Sequence, residues 1–100
     1  MITVAEAIRT NAARTMYPFD NLRMVMRDLF YRLVERHGAK PDEITAGLEA
    51  MAGYDTVSGQ TDPETSTFKG VPVRFDRAMP RDEMRFMHAS DVVGVITNIS

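Results

Sequence analysis

The sequence contains no cysteine among its 100 residues. This absence excludes a disulfide framework, a thiolate metal site and a cysteine nucleophile. The stability of the folded chain must therefore come from packing and hydrogen bonding. The length fits one domain, residues 1–100, because it is enough for one hydrophobic core and too short for two.

The chain also has little net charge and no long apolar run. Its net charge of -2 is too small for a protein that binds nucleic acid through bulk positive charge. No segment approaches the roughly 20 apolar residues of a membrane-spanning helix. Residues 1–6 lack the basic and then apolar layout of a signal peptide. We therefore expect a cytoplasmic protein with no membrane partner.

Sequence signatures of catalysis are missing as well. The two histidines, His37 and His88, belong to no metal-ligand spacing. Ser58-Gly59 lacks the Gly-x-Ser-x-Gly pattern of a serine hydrolase, and no glycine run resembles a phosphate-binding loop. We expect no enzyme activity, no metal, no cofactor and no small-molecule substrate.

Helical patterns dominate the first half of the chain, residues 1–53. Thr3 and Glu6 form a capping-box pattern that predicts a helix to about Thr15. A second helix is predicted from the cap at residues 20–21 to His37, with Gly38 as its stop signal. Its apolar face is formed by Leu22, Val25, Met26, Leu29, Phe30, Leu33 and Val34. A proline followed by acids predicts a third helix over 40–53.

The second half changes from helical to strand periodicity. Residues 54–67 are polar and without a period, which predicts a long loop. Alternation around 71–75 and 84–88 predicts two strands. The β-branched run after residue 91 predicts a third strand that is central in the sheet or covered on both sides. The predicted fold is α+β, with three N-terminal helices packed on a small, mostly antiparallel C-terminal sheet (68–100) of about three strands.

Charge is distributed unevenly along the chain, which leaves two binding interpretations open. Residues 41–66 carry six acids and no base, a composition that suits an acidic inhibitor or adaptor of a host protein. The arginines of the second helix suit a nucleic-acid-binding domain. They lie on two flanks of the apolar face, with acids between them, which favours an ordinary solvated helix surface: Arg23, Arg27, Arg32 and Arg36.

Three apolar side chains in polar surroundings are candidate partner-binding residues. Tyr54 and Val57 lie in the predicted 54–67 loop, and Met79 lies in the connection between two predicted strands. An exposed apolar side chain in a turn is typical of a protein contact. The alternative for Met79 is that it folds back onto the sheet, and for the loop that it only connects its neighbours.

One segment resembles a known hairpin. Residues 68–80 read Phe-Lys-Gly-Val-Pro-Val-Arg-Phe-Asp-Arg-Ala-Met-Pro, similar to a hairpin in structural proteins of tailed bacteriophages. There a Gly-(Val/Ile)-Pro-Val strand precedes an Asp and a Met/Leu-Pro turn. The resemblance implies a virion component. We therefore expect a non-enzymatic phage-type structural or assembly protein that binds a protein partner or itself, in the host cytoplasm or the virion.

Overall fold

The computed structural model describes residues 7–12, 18–60, 62 and 64–99. These residues form one six-stranded mixed sheet and two helices. The elements in chain order are β1 (Ile8–Asn11), α1 (Pro18–His37), β2 (Glu43–Ala46), α2 (Leu48–Ser58), β3 (Thr67–Phe68), β4 (Val71–Phe75), β5 (Met84–His88) and β6 (Asp91–Thr97). Neither helix combines the length and apolar character needed to cross a membrane.

The strands lie in the order β1-β6-β5-β2-β4-β3. β1 pairs with β6, and β2 with β4, in parallel; the other three neighbouring pairs are antiparallel. One row of side chains crosses five strands through paired positions: Ile8, Gly94, Phe86, Ile44 and Val73. A Cβ atom added at Gly94 would lie 3.0–3.2 Å from side-chain carbons of α1. This row therefore faces the helices, and the next row faces the opposite side.

The core lies between this face and the helices. α1 packs on β1 and β6, α2 packs on β2 and β4, and the two helices touch each other. Helix α1 confirms the second predicted helix, because its predicted apolar face is buried or packed against the core cluster. It begins at Pro18, so residues 20–21 lie inside it. It ends as predicted before Gly38, whose positive φ of 71° and N–H bond to the Val34 carbonyl (2.8 Å) terminate it.

The predicted first helix is wrong where the structure describes it. Residues 8–11 form strand β1, and their side chains alternate between half-buried and exposed. Pairing with the apolar strand β6 supplies the hydrogen bonds that a local helix would have made internally. The capping box at residues 3–6 and the end of this predicted helix at 13–15 lie outside the described residues.

The predicted third helix, 40–53, is wrong over its first half. Residues 43–46 form β2, in which Ile44 and Ala46 are fully buried at a spacing of two. β2 is paired on both sides, with β4 and with β5. Tertiary pairing therefore overrides the helix-start signals of the preceding segment. Helix α2 starts only at Leu48 and runs through the predicted stop at Gly53.

The predicted 54–67 loop is shorter than expected. Its first five residues are the end of α2, which stops at Gly59 with a φ of 71° and an N–H bond to the Asp55 carbonyl (3.0 Å). Its last residue, Thr67, begins β3, a two-residue strand that the sequence did not reveal. The strands predicted at 71–75, 84–88 and after residue 91 are confirmed. The sheet nevertheless has six strands instead of about three, because β1, β2 and β3 join it.

Candidate functional site

The predicted contact residues are separated in the structure. Tyr54 and Val57 lie on the last turns of α2, and both line one groove. Met79 lies in the turn between β4 and β5 and is only 7% exposed. Its N–H group donates to the Asp76 carbonyl at 3.2 Å. The burial of Met79 agrees with the alternative that this side chain folds back, so we place the candidate site at the groove.

The groove has a volume of about 720 Å³. It lies between the N-terminal half of α1, the C-terminal end of α2 and the hairpin formed by β3 and β4. We refer to it as the α1–α2 groove. A cavity of this size is in the range that takes a compact ligand or a few side chains of a partner.

The apolar part of the groove includes side chains that the core leaves partly uncovered. Met24 is 55% exposed, although Met26, two residues further on, is fully buried. Val57 and Phe68 are half-buried and pack against the edge of the core cluster. Methionine is flexible and polarizable, and it is favoured in adaptable contacts. These side chains give the groove an apolar floor that is open to solvent.

The polar wall of the groove is held by hydrogen bonds between α2 and β3. Gln60 donates from Nε2 to the Thr67 carbonyl (2.8 Å) and accepts from the Thr67 N–H group (2.9 Å). The Tyr54 hydroxyl also donates to the Thr67 carbonyl. Burial raises the pKa of Tyr54 from its usual 10.0, and the bond to Gln60 works against this rise. These groups already bind each other, so they shape the wall.

The rim of the groove is cationic. Arg23, Arg27 and Lys69 line it, and among the side chains that the structure describes no aspartate or glutamate does. Arg23 and Arg27 are exposed and four residues apart on α1, which places their side chains on one face about 5–6 Å apart at Cβ. The ion pairs of the described residues are Arg81–Glu49 and Arg85–Glu83, so neither rim arginine is neutralised by such a pair.

Lys69 completes the rim from the opposite wall. Its ammonium lies 5.0 Å from the ring centre of Tyr31, 5.8 Å from that of Phe68 and 5.9 Å from that of Phe30. It also donates a hydrogen bond to the Tyr31 hydroxyl at 3.3 Å. Aromatic faces attract a cation, so the three rings hold this charge in place.

A second charged surface lies on the sheet face opposite the helices. Arg9, Arg85 and Arg74 occupy one row across it, separated by Val95 and Thr45. Glu83 binds Nε of Arg85 at 2.7 Å, and Glu43 lies on the same face two residues before Thr45. This surface mixes both signs of charge, whereas the rim of the α1–α2 groove carries one.

Three of the six acidic residues of 41–66 lie at two separate places in the fold. Asp42 and Glu43 lie at the start of β2, and Asp42 accepts a hydrogen bond from the Ala89 N–H group at 2.8 Å. Glu49 lies beyond the other end of β2 and pairs with Arg81 at 3.6 Å. The geometry therefore gives no support to a continuous acidic surface. In the part of the chain described here, no group of three or more His, Asp or Glu side chains could hold a metal ion.

Tyr54 and Val57, the candidate residues of the sequence analysis, line the groove, whereas its cationic rim was not predicted. Arg23 and Arg27 were interpreted as a solvated flank, and nothing marked Lys69 as their neighbour. The one available signal was that both arginines share a flank without an acid between them. No protein-family model matches the chain, and the comparisons with curated proteins and with solved structures also give no match.

Proposed function

We propose that this chain is a small non-enzymatic structural or assembly protein of phage type, which acts by binding another protein through the α1–α2 groove. The observation that carries the proposal is the open apolar floor, in which Met24 is 55% exposed beside the half-buried Val57 and Phe68. Burying such a floor in a partner removes apolar surface from water, which is the main favourable term in protein association.

The resemblance of residues 68–80 supports a virion or assembly role in the host cytoplasm. Two residues of that segment, Phe68 and Lys69, line the groove. The segment that suggests the source of the protein therefore also contributes to the candidate binding surface.

The test is a native purification of the tagged chain from its natural host, with light scattering for the mass of the complex. Cross-linking then identifies the residues that touch the co-purified protein. We expect a complex in which the cross-links surround the groove and which the Val57→Asp variant fails to form. Phe75→Asp is the matched control, because Phe75 is also partly exposed (44%) and does not line the groove. A chain that stays monomeric at high concentration and carries no partner contradicts the proposal.

A further inference from the structure

We infer that the α1–α2 groove takes an acidic, amphipathic peptide segment of the partner, with an apolar side chain on the groove floor and carboxylates on the arginine rim. This inference rests on the proposed function, because it names the chemistry of the protein segment that the groove binds.

The charge of the groove rim is opposite to the net charge of the chain. The whole chain has a net charge of -2, yet the described side chains that line this groove include three cations and no carboxylate. The positive charge is therefore a local property of the groove. An occupant that brings carboxylates is attracted to it and is distinguished from neutral or basic segments.

The cations of the rim are spaced so that they can bind several carboxylates at once. Arg23 and Arg27 are one helical turn apart, and each guanidinium can bind a carboxylate with two parallel hydrogen bonds. Lys69 stands on the hairpin side and uses one of its donors on Tyr31, which leaves donors for a further carboxylate. Acids on both sides of one apolar anchor match this layout.

The floor of the groove favours a peptide over single-stranded nucleic acid. Bases bind such grooves by stacking on open aromatic faces. Lys69 lies over Tyr31 and Phe68, and Phe68 makes edge contacts with Phe30, Tyr54 and Phe86. The exposed part of the floor is instead methionine and valine, which suit an aliphatic or aromatic side chain of a peptide.

The experiment selects binders from a random-peptide library displayed on a surface, with the purified full chain as bait. Peptides that are enriched are synthesised with a fluorescent label, and their affinities are measured by anisotropy. We expect the enriched peptides to contain several acids and one large apolar residue. Arg23→Glu combined with Arg27→Glu should weaken their binding by about tenfold or more, because attraction becomes repulsion.

The matched control is Arg32→Glu combined with Arg36→Glu. These arginines are also exposed, lie on the same helix at the same spacing and are outside the groove lining. The two double variants have the same net charge, so equal weakening by both indicates a non-specific charge effect and overturns the inference. Circular dichroism confirms that each variant is folded.

The remaining outcomes separate this inference from the proposed function. Neutral or basic peptides whose binding depends on Val57 overturn the acidic occupant and leave groove binding intact. The absence of any enriched peptide that depends on Val57 counts against both. Labelled oligothymidylate serves as the nucleic-acid probe. If it binds more tightly than the peptides and loses affinity in the Arg23/Arg27 variant only, the occupant is nucleic acid and the inference is wrong.

Discussion

Replacing Gly47 with alanine tests the boundary between β2 and α2 directly. The sequence pattern predicted a continuous helix through residue 47, whereas the structure has a tight passage from strand to helix there. In a helix interior, Gly→Ala stabilises by about 0.8–1 kcal/mol. In the structure, a Cβ at residue 47 would lie 1.9 Å from the carbonyl oxygen of Pro80 and 2.9 Å from Cα of Arg81. The helix prediction and the structure therefore give opposite signs for the change in the free energy of unfolding on Gly47→Ala.

The size of the effect follows from that contact. Ordinary van der Waals contact begins at 3.4 Å, so the backbone would have to move by about 1.5 Å. The movement strains two hydrogen bonds of 3.0 Å, from Gly47 N–H to the Glu83 carbonyl and from Ala50 N–H to the Arg81 carbonyl. Overpacking costs about 1–3 kcal/mol, and each weakened hydrogen bond up to about 1 kcal/mol. We expect a loss of about 2–4 kcal/mol, which corresponds to roughly 10–25 °C in the melting temperature.

The assay is urea unfolding followed by far-ultraviolet circular dichroism. Gly59→Ala is the control, since Gly59 also borders α2 and no atom lies within 4 Å of the added Cβ. Its φ of 71° makes alanine cost about 1–2 kcal/mol through backbone strain alone. If Gly47→Ala stabilises the protein or costs no more than Gly59→Ala, residue 47 does not make the close contact with Pro80.

Three further predictions concern stability. Leu29→Ala empties a fully buried core position and should cost about 2–5 kcal/mol in urea unfolding, whereas Met24→Ala in the groove should change stability by no more than about 0.5 kcal/mol. Tyr54→Phe removes the hydroxyl that donates to the Thr67 carbonyl and should cost about 1 kcal/mol. Because burial raises the pKa of Tyr54 in the folded state, the stabilising contribution of its neutral phenol is complete below pH 10.0 and is lost at higher pH. Urea unfolding at alkaline pH should show this loss for the wild type and not for Tyr54→Phe. Burial raises the pKa of Asp55 above 3.8, and its Oδ1 atom is buried without a hydrogen-bond partner among the described residues. Protonated Asp55 therefore stabilises the folded chain below pH 3.8, and this contribution is lost as pH rises. Asp55→Asn should be more stable than the wild type at neutral pH, and the difference should shrink in acid.

The elements that were predicted correctly are those whose own residues show a clear periodic or compositional pattern. The apolar face of α1 repeats over more than three turns and the helix ends at a glycine, so its helical period does not depend on the rest of the fold. The strands β4 and β5 show a period of two, and β6 is a run of β-branched residues. β1 and β2 have four residues each, too few for a period to be decisive. Ile44 is in a strand because it pairs with Val73 and Phe86, which are about 30 and 40 residues away in the chain.

The groove was less predictable than the fold because it joins distant segments. Its floor and rim combine residues 23–27 of α1, residues 54–60 at the end of α2 and residues 67–69 of the hairpin. The sequence shows each segment separately. Their meeting depends on how α1 lies across the sheet and on the pairing of β3 with β4, and no local pattern encodes either.

Lys69 occupies a turn position at which the backbone geometry favours a different residue type. Lys69 and Gly70 form the two-residue turn between β3 and β4, with φ angles of 51° and 81°. Turns with two positive φ values favour Asn-Gly, because a longer side chain in the first position is strained. The chain instead has lysine there, and its ammonium lies near three aromatic rings and donates to the Tyr31 hydroxyl. These contacts favour lysine at a position where the backbone alone favours another residue type.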